Sequence, residues 1–401
     1  MKRSRISNLL KMRHLVASSP RVGRIITAMR YRCSPGTVLL VLLISASVVA
    51  VQDGMQPTLL HAASSLGEVK TKIDRSDERY QYGSKRFNLL LAESHSLCRT
   101  TEEHDFYRWM DEAYKSSKYQ IPGLEGLSVE ALTTAKKQEL KAIVDKAKKA
   151  DAEIEIGASL HKLIKTIIPR FSLDRGFEFC NVMKYGERQC FLQSVLIVGL
   201  LQDMGVDSGV VMVYKNIKGE TSNNGHATVL VKLSDGRDII VDASDPEPFA
   251  HQQGLFVRTT DYQYVEPIYE KSGDAITHYR ASAGGSRIET SSVRTLDYNF
   301  VRSMFWYYRG ERTTGGLTLG PKTKDGLYRS VRYLRASVHL GWRNPLAVYM
   351  LGRVYYALGD MTMARYHLRH AREYYTLFGY YPEGPREYYA LIHKAKQSTL
   401  P

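Results

Sequence analysis

Tyr185-Gly-Glu-Arg-Gln-Cys190-Phe-Leu-Gln-Ser-Val-Leu-Ile-Val-Gly-Leu-Leu-Gln-Asp-Met-Gly205 is a glycine-containing loop that runs into an apolar helix closed by Gly205. Cys190 stands at the start of that helix. Unpaired backbone N–H groups and the helix dipole favour negative charge there, a setting suited to a thiol nucleophile. Downstream, Asn223-Asn-Gly-His226 opens Ala-Thr-Val-Leu-Val-Lys-Leu233, which alternates like a strand. The turn signal Ser234-Asp-Gly-Arg237 follows, and then Asp238-Ile-Ile-Val-Asp242. Two strands around an Asp-Gly pair make a hairpin.

The register of that hairpin decides whether His226 and Asp242 can meet, because directly opposed residues share a face. A two-residue Asp235-Gly236 loop would oppose Val229 to Asp242 and send the two polar side chains to opposite faces. A three-residue loop, Ser234-Asp235-Gly236 with Gly236 left-handed in a bulge, opposes Thr228 to Asp242, Val229 to Val241, Val231 to Ile239 and Lys232 to Asp238. It matches apolar with apolar and charge with countercharge. The bulged hairpin is therefore predicted, with Asp242 on the His226 face one pleat away.

A cysteine at a helix start, a histidine at a strand start and an aspartate on the next strand resemble the transglutaminase-like branch of the papain-type cysteine enzymes. The likeness runs from about Phe177 to Phe249. It includes the glycine loop, Phe191 after the cysteine, the leucine-rich helix, the strand Gly209-Val-Val-Met-Val-Tyr214, Gly225-His226-Ala227 and Val241-Asp242. The family often carries tryptophan where Phe191 stands and a shorter loop before the cysteine. The resemblance implies that Cys190 is the nucleophile, that His226 is the general base and later acid, and that Asp242 fixes the histidine tautomer. The backbone N–H of Cys190 is one natural oxyanion donor. Asn181 and Gln189 are both open as the second.

Length and composition set the frame. A chain of 401 residues with 43% hydrophobic content accommodates two or three domains with real cores. Cys33, Cys98, Cys180 and Cys190 show no C-x-x-C spacing, so neither a zinc site nor a dense disulfide framework is expected. A bond between Cys180 and Cys190 would block the nucleophile. The formal charge is +15, and nine Lys and Arg lie in the first 32 residues, which hold no acidic residue. That distribution reads as targeting or topology, not nucleic-acid binding.

The basic run precedes Gly36-Thr-Val-Leu-Leu-Val-Leu-Leu-Ile-Ser-Ala-Ser-Val-Val-Ala-Val51, and no charge occurs between Arg32 and Asp53. About twenty uncharged residues can span a bilayer. The expectation is a single-pass membrane anchor with the catalytic domain extracytoplasmic. A cleaved signal, leaving a secreted protein, is the alternative, and a mitochondrial presequence ranks third.

The predicted organisation follows from these readings. Residues 1–61 are the basic N-terminus with its membrane or signal segment, and 62–153 a mostly helical region. Residues 154–280 are the transglutaminase-like domain, 281–326 a linker, and 327–401 a helical repeat region. Ser128 is the expected N-cap of a lysine-rich helix running to Lys149, and a second helix spans Ile154 to Ile168. Asn344 to Ala371 resembles one tetratricopeptide repeat, with Leu351, Gly352 and Tyr355 on its first helix, Gly359 at the turn, and Ala364, Leu368 and Ala371 on its second. Leu334 and Ser337 fall in register for a preceding second helix, and the segment after Pro385 for a closing one. Such a piece docks on the catalytic domain or caps itself.

The fold class expected is α+β: a transglutaminase-like core with the catalytic helix on an antiparallel sheet, then an α-helical repeat. The expected function is a membrane-anchored cysteine hydrolase or acyltransferase that acts on amide bonds of a protein or peptide through a thioester at Cys190. No cofactor or metal is called for. The alternative is an inactive scaffold binding a protein partner through the helical repeat.

Overall fold

The computed structural model describes residues 79–98 and 103–397, all within the unit Asp77–Pro401. It is a mixed α/β structure of helices and an antiparallel sheet. The elements are α1 (Lys85–Cys98), α2 (Glu103–Lys115), α3 (Val129–Ala142), α4 (Lys146–Ile167), β1 (Arg170–Phe171), α5 (Phe179–Tyr185), β2 (Glu187–Arg188) and α6 (Cys190–Asp203). Then come β3 (Asp207–Lys215), β4 (Thr221–Lys232), β5 (Asp238–Val241), β6 (Gly254–Arg258), β7 (Tyr262–Tyr269), β8 (Ile276–Ala281) and β9 (Arg287–Glu289). Five helices close the chain: α7 (Tyr298–Glu311), α8 (Lys324–Leu340), α9 (Pro345–Ala357), α10 (Met361–Leu377) and α11 (Glu383–Gln397).

Seven strands run in the order β5-β4-β3-β6-β7-β8-β9, and a β5 to β8 pairing at Asp238 and Ile276 curls the sheet into a barrel. Alternation along each strand separates two cores. Val211, Val213, Leu230, Ile240, Leu255, Val257 and Val265 belong to one, and Val210, Met212, Val229, Val231 and Val241 join the helices in the other. Helix α6 is apolar on every side and buried along nearly its whole length, so it serves as the axle around which sheet and helices pack. Gly205 ends it at φ +86°, a backbone conformation that suits glycine.

The lysine-rich segment breaks where a single helix was expected. Ser128 caps α3 as predicted, its Oγ accepting from Ala131 N–H at 3.2 Å. The chain then leaves helical geometry at Ile143, and Asp145 caps a new helix by accepting from Lys148 N–H at 2.9 Å. Ile154 to Ile168 is thus the later part of α4 and its cap.

The stretch 281–326 is not a linker. It holds β9 and the buried helix α7, whose Phe305 and Tyr308 pack on Phe191 at ring-centroid distances of 4.9 and 5.6 Å. Arg309 of α7 donates to both oxygens of Glu178 at 2.6 and 3.0 Å, and Arg302 to Glu93. Gly310 lies against Leu334 of α8 as Gly352 of α9 lies against Leu368 of α10. A Cβ at either glycine would come within 2.7 Å of the leucine Cγ. α7 is thus the first helix of a pair that repeats in α9 and α10.

The repeat region docks on the sheet. Tyr264 N–H donates to Phe378 C=O at 2.9 Å, Tyr380 packs on Tyr214 with ring centroids 4.6 Å apart, and Tyr375 donates its hydroxyl proton to Asn223. Gly359 makes its turn at φ +80°.

One disulfide joins the helical layer, and one further expectation is corrected. Cys98 and Cys180 form a disulfide across 82 residues, with Cα atoms 6.5 Å apart, and Cys190 is free. Spacing alone could not reveal that pairing. The single-pass membrane placement is not upheld, since no helix among the described residues is long and apolar enough to cross a membrane. The basic run and the stretch 36–51 lie outside the described residues.

Candidate active site

The loop before Cys190 is held in three places. Ser172 N–H donates to Arg188 C=O at 2.9 Å, Arg170 N–H to Gly186 C=O at 3.2 Å, and the Arg175 guanidinium grips Glu187 with two bonds of 2.6 and 2.8 Å. A Cβ at Gly176 would strike the Arg188 carbonyl at 2.5 Å, so only glycine allows this approach. Gln189 is extended and Cys190 begins α6, as the sequence predicted. Ser194 Oγ donates to Cys190 C=O at 2.8 Å and lies 3.2 Å from Ala227 C=O, fixing the first turn of α6 on β4.

The hairpin carries the bulged register. Val229 opposes Val241, Leu230 opposes Ile240, Val231 opposes Ile239 and Lys232 opposes Asp238. Gly236 adopts φ +93°, and Leu233 N–H donates to Arg237 C=O at 2.8 Å to close the turn. His226 lies inside β4, which begins earlier than expected, at Thr221, and passes an irregularity in its pairing with β3.

This geometry brings the three predicted residues together. His226 Nε2 and Asp242 Oδ2 are 2.6 Å apart, and Cys190 is the other hydrogen-bonding side chain of the imidazole. With Nε2 committed to Asp242, Nδ1 is the nitrogen left to face the sulfur. Asp242 is 1% exposed and its second oxygen accepts from Ser244 N–H at 3.0 Å, while Gln252 Nε2 donates to Oδ2 at 2.8 Å. Gln193 Nε2 donates to Ser244 Oγ at 2.7 Å, tying that loop to α6.

Electrostatics follow from these contacts. Burial disfavours a charged His226, but bonds to Asp242 and Cys190 and the charges of both outweigh it and push its pKa up to about 10. Burial likewise raises the Asp242 carboxyl, yet His226, the Ser244 N–H and Gln252 hold it below the usual range. The pair is thus an imidazolium on a buried carboxylate.

No protein-family model matches the chain, and none of the curated proteins matches it. Among solved structures, the crystal structure of menin, described as revealing the binding site for Mixed Lineage Leukemia (MLL) protein, is similar at a TM-score of 0.36 and 10% identity. The match covers 74% of this chain and 66% of that one, just under two thirds of its length.

Tyr308 is a residue that the sequence reading passed over. It comes from α7, is 3% exposed, and its hydroxyl has no hydrogen-bond partner among the described residues. Burial first, and then the charge of Cys190, hold its proton on well above the ordinary phenol range. Of the earlier candidates for an oxyanion donor, Asn181 spends its amide on Arg175 C=O at 2.8 Å. Gln189 is buried, and its Oε1 is unpartnered. No local sequence signal singles out Tyr308, because only tertiary packing brings α7 to α6. The aromatic run Phe305-Trp-Tyr-Tyr308 was the nearest available hint.

Cys190 is 5% exposed and the His226 side chain 27%. A shallow cleft of about 280 Å³ lies beside Lys215, His251, Glu266, Tyr269 and Arg280 and contains none of the three residues. It connects to them through Tyr269, whose hydroxyl donates to Gln252 C=O at 2.8 Å. Cys190, His226 and Asp242, and not the cleft, define the candidate site.

Proposed function

We propose that the chain is a transglutaminase-like cysteine hydrolase or acyltransferase that opens an amide bond of a protein or peptide through a thioester at Cys190. The observation that carries this reading is the 2.6 Å contact of His226 with the buried Asp242, with Cys190 as the other side chain acting on the imidazole. The Cys190 sulfur attacks the amide carbonyl, and negative charge moves to its oxygen. The Cys190 backbone N–H, free at the first position of α6, donates to that oxygen. Tyr308 supplies the second donor, since its hydroxyl proton is retained and uncommitted.

Collapse of the tetrahedral intermediate expels the amine, which takes its proton from His226. The thioester no longer carries the sulfur charge that helped to hold that proton. His226 is then a neutral base, able to deprotonate the next nucleophile. Water as acceptor gives hydrolysis, and a second amine gives transfer.

Casein peptides as acyl donors with a fluorescent primary amine test the reading. A peptide adduct on Cys190 that hydroxylamine discharges, together with cleaved or amine-labelled peptide lost in Cys190→Ala, supports it. The near-complete burial of Cys190 favours a second reading, an inactive scaffold that binds a protein partner through its helical repeat. Absence of both adduct and product would favour that one.

A further inference from the structure

Arg188 is a buried cation that the fold leaves unmatched. It is 9% exposed, its Nε has no partner, and none of the described residues gives its guanidinium a hydrogen bond or an ion pair. Its neighbour Glu187 is turned the other way and spent on Arg175. Burial lowers the Arg188 pKa, and no carboxylate opposes the effect.

Its position is set by the backbone. Gln189 is extended, with φ −130° and ψ 160°, so Arg188 and Cys190 project from the same side of the chain, their Cα atoms about 6–7 Å apart. A second cation lies within reach of the Arg188 charge. The Lys165 ammonium from α4 donates to Asp245 C=O at 2.5 Å, where His161 Nε2 also contacts the carbonyl at 3.0 Å. That contact sets the ammonium three residues along the chain from Asp242, and burial first and then the charge of Arg188 lower the Lys165 pKa. Asp242 is already committed to His226, Gln252 and Ser244.

The geometry points to an anion subsite beside the thiol, in which Arg188, assisted by Lys165, takes a carboxylate of the substrate about one residue from the amide carbonyl that Cys190 attacks. The inference rests on the thiol chemistry proposed above and deepens it by naming a substrate class, acidic peptides or free C-termini. A guanidinium fork fits a carboxylate with two parallel bonds, and a site poor in water strengthens them. A neutral substrate would leave the buried charge as unmatched as it is in the free chain.

Three alkylating probes test this on the full chain: bromoacetyl-glycine, the α-amide of bromoacetyl-glutamic acid with its side-chain acid free, and neutral bromoacetyl-glycinamide. In each, the Cys190 sulfur displaces bromide from the methylene carbon. The readout is the rate ratio of anionic to neutral probe, in which the charge of His226 is common to all variants. The ratio is expected to fall about tenfold in Arg188→Gln, and by a smaller factor in Lys165→Gln. The second variant changes a partly exposed side chain, so the test stands should the first fail to fold. The probe with the larger fall identifies the carboxylate as terminal or side-chain. An unchanged ratio for both anionic probes in a folded variant overturns the subsite while leaving the thiol reading intact. Failure of every probe to label Cys190 overturns both.

Discussion

Glu153 of α4 accepts hydrogen bonds from both the backbone N–H of Ser234, at 2.8 Å, and its hydroxyl, at 2.6 Å. Ser234 is the first residue of the bulged turn, so a buried carboxylate on a neighbouring helix holds the turn that sets the register of His226 and Asp242. Thr290 Oγ1 donates to Gly236 C=O at 2.6 Å from the other side. Glu153→Ala leaves the turn N–H without its acceptor and is expected to cost about 1–3 kcal/mol. Urea unfolding measures that loss, and hydrogen exchange at Ser234 to Asp242 should quicken more than exchange in β6 and β7.

Gly236→Val tests the same turn more severely. Its φ of +93° is one a β-branched side chain rarely adopts, although open space surrounds the position. Conformation alone should cost on the order of 1–2 kcal/mol. A Gly236→Asn variant, which tolerates positive φ better, should lose less. Equal losses in thermal unfolding would show that space, and not φ, is limiting.

Much of the site was legible because the carriers of its geometry are local. The Asp-Gly turn and the apolar match of Val229 with Val241 and Val231 with Ile239 fixed the hairpin, and the Gln189 to Gly205 pattern fixed the helix and its capping ends. What escaped was tertiary. Nothing in Glu153 itself announces Ser234, which lies 81 residues away. Residues 281–326 read as a linker because Gly284, Gly285 and the surrounding serines dominate their start, masking α7 behind them. Leu334 was recognised as the second helix of a repeat. Its partner Gly310 stands 24 residues upstream, beyond a long turn, where no local pattern points to it. The disulfide was hidden for the same reason, since Cys98 and Cys180 meet only when α1 packs against α5.

The α7 docking can be broken at one ion pair. Arg309 is buried with Glu178 and near Glu93. Arg309→Ala would strand Glu178, while Glu93 keeps Arg302, and breaking a buried pair costs about 3–5 kcal/mol. Residues 79–280 alone are expected to lack a cooperative thermal transition, because Phe191 would lose Phe305 and Tyr308.

Tyr308→Phe removes a single hydroxyl. Loss of one oxyanion donor slows acyl transfer about 10²–10³-fold. Alkylation of Cys190 develops no oxyanion and should change far less. A parallel fall in both rates would make Tyr308 a packing residue.

The imidazole has a signed pH dependence. Its folded pKa of about 10 lies above the unfolded value near 6.5. Protonation of His226 therefore contributes stability that is fully present below about pH 6.5 and is lost as pH rises through about 10. The difference in urea midpoint between the unaltered chain and His226→Gln should shrink over that window. In Asp242→Asn the imidazole loses its strongest support, and its titration, followed by NMR, should move to lower pH.

The most direct test of the triad is the rate of Cys190 alkylation by iodoacetamide at graded pH. An activated Cys190 reacts below pH 7 and loses that reactivity in His226→Ala. A rate that is equally slow in both proteins below pH 7, or that rises in both only near the ordinary thiol pKa of about 8.5, would contradict the triad.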